Sequence, residues 1–195
     1  MHPWSENKGD KIIARSRQYV IFSLALIFFS CRQQPGLPID FFKEDLTIEL
    51  DSGQAKVTGI YYFKNLTRER KRVILFYPFL ADTFHLYPNA ILLDLPFRKD
   101  SSGIYFELAI GSRKKEQFKI SYTQKLKRTF FRYITTTTKQ WQRPIKQAAF
   151  TVITPERFNI KTSYPVTEKN ISRGKCYYHI KIDKFYPDKD LLINW

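Results

Sequence analysis

Three histidines, two cysteines and 18 carboxylates are the side chains whose chemistry could serve catalysis or metal binding. Their spacing does not assemble a site. His2 stands in a leader-like segment, and His179 lies between Tyr177 and Lys181 on the polar side of an alternating run. His85, in "DTFHLYP", can meet Asp82 locally, which gives one imidazole and one carboxylate in a loop. No HxxxH or HExxH spacing occurs, and two cysteines are too few for a zinc cage. No GxSxG elbow, P-loop or GxGxxG turn is present. Asp188 and Asp190 in "PDKD" supply two carboxylates where calcium takes six to eight oxygens, so they read as a turn entering "LLINW". The expectation is a protein without catalysis, metal or cofactor of its own.

The basic residues are a more substantial signal. The 195-residue chain has a formal net charge of +15. "RERKR" carries Arg68, Arg70, Lys71 and Arg72 with Glu69. A second cluster holds Arg113, Lys114, Lys115, Lys125, Lys127 and Arg128, together with Lys119 and a single acid, Glu116. Both clusters fall at predicted hairpin ends or on polar strand faces. Brought to one end of the fold, they would form a patch for anionic polymers such as lipopolysaccharide phosphates, acidic polysaccharide or DNA. The aromatic residues, 16% of the chain, are mostly spent on predicted strand cores. A stacking platform for specific nucleic-acid binding is therefore not expected.

Cys31 and Cys176 have different surroundings. Cys176 alternates in register with Tyr178 and Ile180, which reads as core packing. Cys31 closes "YVIFSLALIFFSC". There Lys8, Lys11, Arg15 and Arg17 precede an uncharged run from Tyr19 to Phe29. A basic segment followed by a short apolar one is the layout of a secretory signal, and the run is short for a membrane span. In "FFSC", a small residue, Ser30, stands directly before the cysteine. This ending resembles the lipobox of bacterial lipoproteins, with Phe28 where that family usually has Leu. The resemblance implies signal cleavage after residue 30, a diacylglyceryl thioether on Cys31 and an acylated amine. Several acyl chains give stable anchoring where one does not. Arg32 follows the cysteine, and by analogy with enteric lipoproteins this favours the outer over the inner membrane. The alternative is an uncleaved signal anchor with Cys31 merely at the interface.

The elements that must position these residues read as strands. "GIYFELAI" (103–110), "EQFKISYTQKL" (116–126) and "KCYYHIKID" (175–183) alternate apolar and polar residues with period two. Further strands are expected in 46–50, 55–63, 71–79, 90–95, 130–136 and 148–153, with turn-forming residues between them. "VILFYPF" is apolar on both faces and reads as a central strand ended by Pro78. Pro144 argues against a helix in "TTKQWQRPIKQA".

The expected architecture is all-β: a signal peptide over 1–30, a lipidated cysteine and tether over 31–40, and one antiparallel β-sandwich over 41–195. That sandwich is expected to be immunoglobulin-like in the broad sense. A transmembrane barrel is the rival, disfavoured by short strands with Lys-rich faces. The expected role is a cell-envelope lipoprotein that docks a protein partner. The alternative is a cationic sandwich that binds anionic envelope polymers.

Overall fold

The computed structural model describes residues 37–82 and 85–195. The expected signal peptide, Cys31 and the first part of the tether lie outside the described residues, as does His2. The described chain is nearly all β. Its strands are β1 (Ile39–Asp51), β2 (Gln54–Asn65), β3 (Lys71–Pro78), β4 (Asn89–Leu93), β5 (Phe97–Lys99), β6 (Gly103–Ile110) and β7 (Lys115–Lys125). After β8 (Phe130–Tyr133) comes a 3-10 helix, Thr136–Trp141. Then follow β9 (Ile145–Pro155), β10 (Lys161–Thr162), β11 (Glu168–Ser172), β12 (Lys175–Phe185) and β13 (Leu191–Asn194). β1 begins at Ile39, inside the stretch read as tether.

One layer is a seven-stranded sheet in the order β11-β12-β9-β1-β2-β7-β4. Its pairings are antiparallel except for β1 with β9, which run parallel, so the sheet is mixed where an antiparallel one was expected. Register aligns Leu46, Phe150 and Ile180 across β1, β9 and β12, and Ile48 with Val57 of β2. These buried side chains make one face of the sheet apolar. The opposite face carries the Lys43–Asp45 ion pair and the Thr58–Ser121 hydroxyl pair. Such one-sided burial is what period-two alternation encodes.

Two three-stranded sheets, β3-β6-β5 and β10-β13-β8, cover the apolar face. The first packs Phe106 on Phe118 at 4.7 Å and Tyr77 on Tyr61 at 5.7 Å between ring centroids. The second buries Phe131, Leu191 and Ile193 completely. Beside it, Tyr164 lies 6.4 Å from Phe150 of β9. The second layer is thus split, with β3 and β8 the sheet edges at the seam. The large sheet stays open, with β11 and β4 at its margins.

The expectation of a central strand at 71–79 is corrected. β3 is an edge strand, paired only with β6 among the described residues. Its second apolar face is spent on the surface: Ile74 is 72% exposed, and Phe76 leans on Tyr105 at 4.7 Å. Segment 136–141 forms only the short 3-10 helix. Gln142 closes it in a left-handed conformation (φ 54°), two residues before Pro144.

Candidate functional site

At the seam, the floor of the molecule carries a buried carboxylate. The β1–β2 register slips between Phe41 and Lys43, so Phe42 is a bulged extra residue. Strict alternation would send Phe41 and Glu44 to opposite faces. The bulge resets the parity, and both point into the core. Glu44 is 1% exposed.

Tyrosines from three other elements surround it. Tyr133 of β8 donates to Glu44 Oε1 at 2.9 Å. The Tyr61 hydroxyl lies 2.6 Å from that of Tyr133 and 2.9 Å from that of Tyr77. Because Tyr133 spends its proton on Glu44, its oxygen accepts from Tyr61, and Tyr61 in turn accepts from Tyr77. Gly59 makes this geometry possible: a Cβ there would overlap the Tyr61 ring. Glu44 Oε2 has no hydrogen-bond partner among the described residues.

Burial dominates the electrostatics. Removal from water pushes the Glu44 carboxyl up to about 7; the Tyr133 hydrogen bond opposes that rise and Asp45 adds to it. Burial, with the Glu44 charge next, holds Tyr61 and Tyr133 well above the ordinary tyrosine value. Tyr77 and Tyr122 are likewise raised, first by burial.

Above this floor lies a cavity of about 360 Å³. Phe41, Tyr61, Phe63 and Phe118 of the large sheet line it, with the β3 segment from Val73 to Pro78 on one side. Arg132, Tyr133 and Trp141 lie on the other. Two polar side chains in its wall, Gln124 and Arg132, are already engaged. Gln124 Nε2 donates to the carbonyls of Leu80 and Leu86, and Arg132 binds Asp190 through Nε at 2.7 Å and Nη2 at 2.6 Å.

Part of the sequence-predicted cationic site is brought together. Asn65 is fully buried. Its Nδ2 donates to the carbonyls of Glu69, Ile110 and Gly111, while its Oδ1 accepts from Thr67. Arg113 N–H also donates to Thr67 O. The turns after β2 and β6 are thereby tied together, which gathers Arg68, Arg70, Lys71 and Arg72 with Arg113, Lys114 and Lys115 at one end. Within that group Lys71 pairs with Glu69 at 2.7 Å, and Arg72 lies 3.5 Å from Glu107. Lys125, Lys127 and Arg128 do not join them. They lie at and just beyond the far end of β7, where Lys125 faces Gln54, and the 11-residue strand separates the two groups by about 34 Å.

The residues weighed for catalysis make the following contacts. His85 Nε2 accepts the Arg132 backbone N–H at 3.1 Å, so its proton sits on Nδ1 and is donated to Asp82 at 2.8 Å. Asp190 accepts from Thr135, Thr136 and Arg132 at the entry to β13. Burial alone would raise its carboxyl, but those hydrogen bonds and the Arg132 charge outweigh burial and lower it. Cys176 is buried in the core, and His179 Nδ1 lies 3.2 Å from Thr151 Oγ1 on the outer face. Among the described residues no three His, Cys, Asp or Glu side chains converge to hold a metal ion. Sequence reasoning missed Glu44. The signal was its place two residues before Leu46, in the inward register of Leu46, Ile48 and Leu50.

No protein-family model matches the chain, and no curated protein matches it in sequence. Solved structures share its fold. A Legionella pneumophila protein, provisionally described as nutrient binding, superposes with a TM-score of 0.63 at 12% identity, over 80% of this chain and 67% of that one. An M1 zinc metallopeptidase from Deinococcus radiodurans gives 0.51 at 11% identity, over 81% of this chain. The chain spans only 42% of that enzyme's length. At such identities the likeness is one of fold.

Proposed function

We propose that this protein is an exported, lipid-anchored binding module of the bacterial cell envelope. It is an adaptor without catalysis that docks an extended segment of a partner protein along the free edge of β3. The observation that carries this reading is that edge. β3 offers eight residues of backbone, unpaired on the side away from β6 among the described residues, with Ile74 and Phe76 exposed along it. A strand laid there gains main-chain hydrogen bonds, and alternate side-chain pockets select the sequence. In this reading the layers form a sandwich that is immunoglobulin-like only in the broad sense. The Cys31 acyl chains hold it at the membrane, the outer one favoured. The fold's likeness to a protein provisionally described as nutrient binding accords with a binding role.

The test is photocrosslinking from position 74 in cells making the full chain, with a probe at exposed Lys119 as control. A discrete protein adduct is expected from position 74, surviving about 1 M salt, where charge interactions are screened within about 3 Å. Equal labelling from both positions would sink the reading.

The clustering around Asn65 favours a second reading, in which the basic end binds an anionic envelope polymer. Binding would then fall steeply with salt, and reversing the charges of Arg70, Lys71 and Arg72 would abolish retention on heparin. Unchanged retention would dismiss it.

A further inference from the structure

We propose that the seam cavity is a binding site for a small primary amine, its ammonium paired with Glu44 and its apolar stem held among the aromatic rings. The β3 segment from Val73 to Pro78 forms one wall of this cavity, but the residue that would pair with the ammonium is Glu44 of the floor, so the amine site can be tested without a partner at the β3 edge.

Three observations converge on this chemistry. First, Glu44 Oε2 is buried and unpartnered among the described residues, and a buried carboxylate needs a compensating charge and hydrogen bond. Second, the polar side chains nearest Glu44, and the wall's Gln124 and Arg132, are committed elsewhere. Tyr61, Tyr77 and Tyr133 bond one another, Gln124 holds two carbonyls, and the wall's cation, Arg132, is paired with Asp190. What the floor lacks is one donor to Glu44 Oε2. Third, Phe41, Tyr61, Phe63, Phe118 and Trp141 line the space. Aromatic faces attract ammonium groups and bury hydrocarbon. The volume of about 360 Å³ sits at the small end of ligand pockets.

An ammonium meets both needs of Glu44, whereas a neutral alcohol supplies the hydrogen bond and leaves the charge. A carboxylate ligand would meet like charge. The pH dependence follows from the groups around Glu44. Tyr133, Tyr61, Tyr77 and Tyr122 stay protonated through neutral pH, Arg132 is held by Asp190, Asp45 neighbours it on β1, and among the described residues no histidine lines the cavity. Burial brings the Glu44 carboxyl to about 7, so its charge changes near neutrality.

The experiment is calorimetric titration of the full chain with 2-phenylethylamine, 2-phenylethanol and 3-phenylpropionate, alongside Glu44→Gln. The amide can still accept from Tyr133, and circular dichroism checks that the variant is folded. At about pH 8 the amine should bind at least about tenfold more tightly than the alcohol, with the acid weakest. Its affinity should fall about tenfold by about pH 6 as Glu44 protonates. Glu44→Gln should lose about tenfold or more for the amine and far less for the alcohol, so that the preference for the amine disappears. The proposal is overturned if amine and alcohol bind alike, if the amine binds more tightly in acid, if Glu44→Gln binds it undiminished, or if no probe binds the native chain.

Discussion

Glu44 stores a conflict that can be measured without any ligand. Its folded-state pKa of about 7 lies above the ordinary value of 4.5, so between those values the folded state keeps a proton that the unfolded state has lost. The stabilisation is therefore complete below about pH 4 and is lost as pH rises through about 7. The distance between the two values corresponds to about 3 kcal/mol. Glu44→Gln resembles the protonated acid at every pH. Urea titrations should find it within about 0.5 kcal/mol of the native chain at about pH 4 and more stable by up to about 3 kcal/mol at about pH 8. Stability curves that stay parallel across that range would show that Glu44 is not desolvated. The same substitution thus separates the two roles: it strengthens the fold and weakens amine binding. The sequence held half of this result. Alternation through Leu46, Ile48 and Leu50 places residue 44 inward, but it cannot reveal that Tyr133, 89 positions away, would meet it.

The strands themselves were legible, because one-sided burial writes a period of two into 103–110, 116–126 and 175–183. Sheet order was not. The parallel β1–β9 pairing joins segments about a hundred residues apart with nothing local to announce it, and the Phe42 bulge shifts parity without a glycine or proline signal. β3 misled because an apolar outer face, seen in sequence alone, cannot be told from a second buried one. Gly59 shows an element constrained by a distant contact. Its backbone is ordinary strand, yet the Tyr61 ring occupies the place a side chain would need. Gly59→Ala must displace that ring and with it the link from Tyr133 to Tyr77, so a loss of about 3 kcal/mol is expected. Gly111→Ala meets only the flexible Lys114 side chain, at 3.2 Å, and should cost under about 1 kcal/mol. Equal losses in denaturant midpoints would mean that the ring does not need the space.

At the scale of the whole molecule, the direction of chain entry links the proposed anchor to the charge. Ile39 pairs with Asn65, and Leu66 N–H donates to Pro38 O, so the chain enters the domain at the end where Arg68–Arg72 and Arg113–Lys115 are gathered. Cys31 lies eight residues before Ile39, a stretch that can span at most about 29 Å. An acylated Cys31 would therefore set an upper limit of that length on the distance of the basic end from the lipid surface. The Lys125–Arg128 group, about 34 Å along β7, would face away, beyond the screening length of about 8 Å. Two attachments of different physics would then act together, one hydrophobic and indifferent to salt, the other electrostatic. Cys31→Ser separates them. In fractionated cells the native chain should stay with membranes through a wash of about 1 M salt, while the variant should be released by it. Residual membrane binding of the variant at low salt should vanish when Arg70, Lys71 and Arg72 are reversed in charge. A Cys31→Ser protein that withstands the salt wash would remove the lipid anchor from this picture and leave an uncleaved apolar segment holding the protein in place.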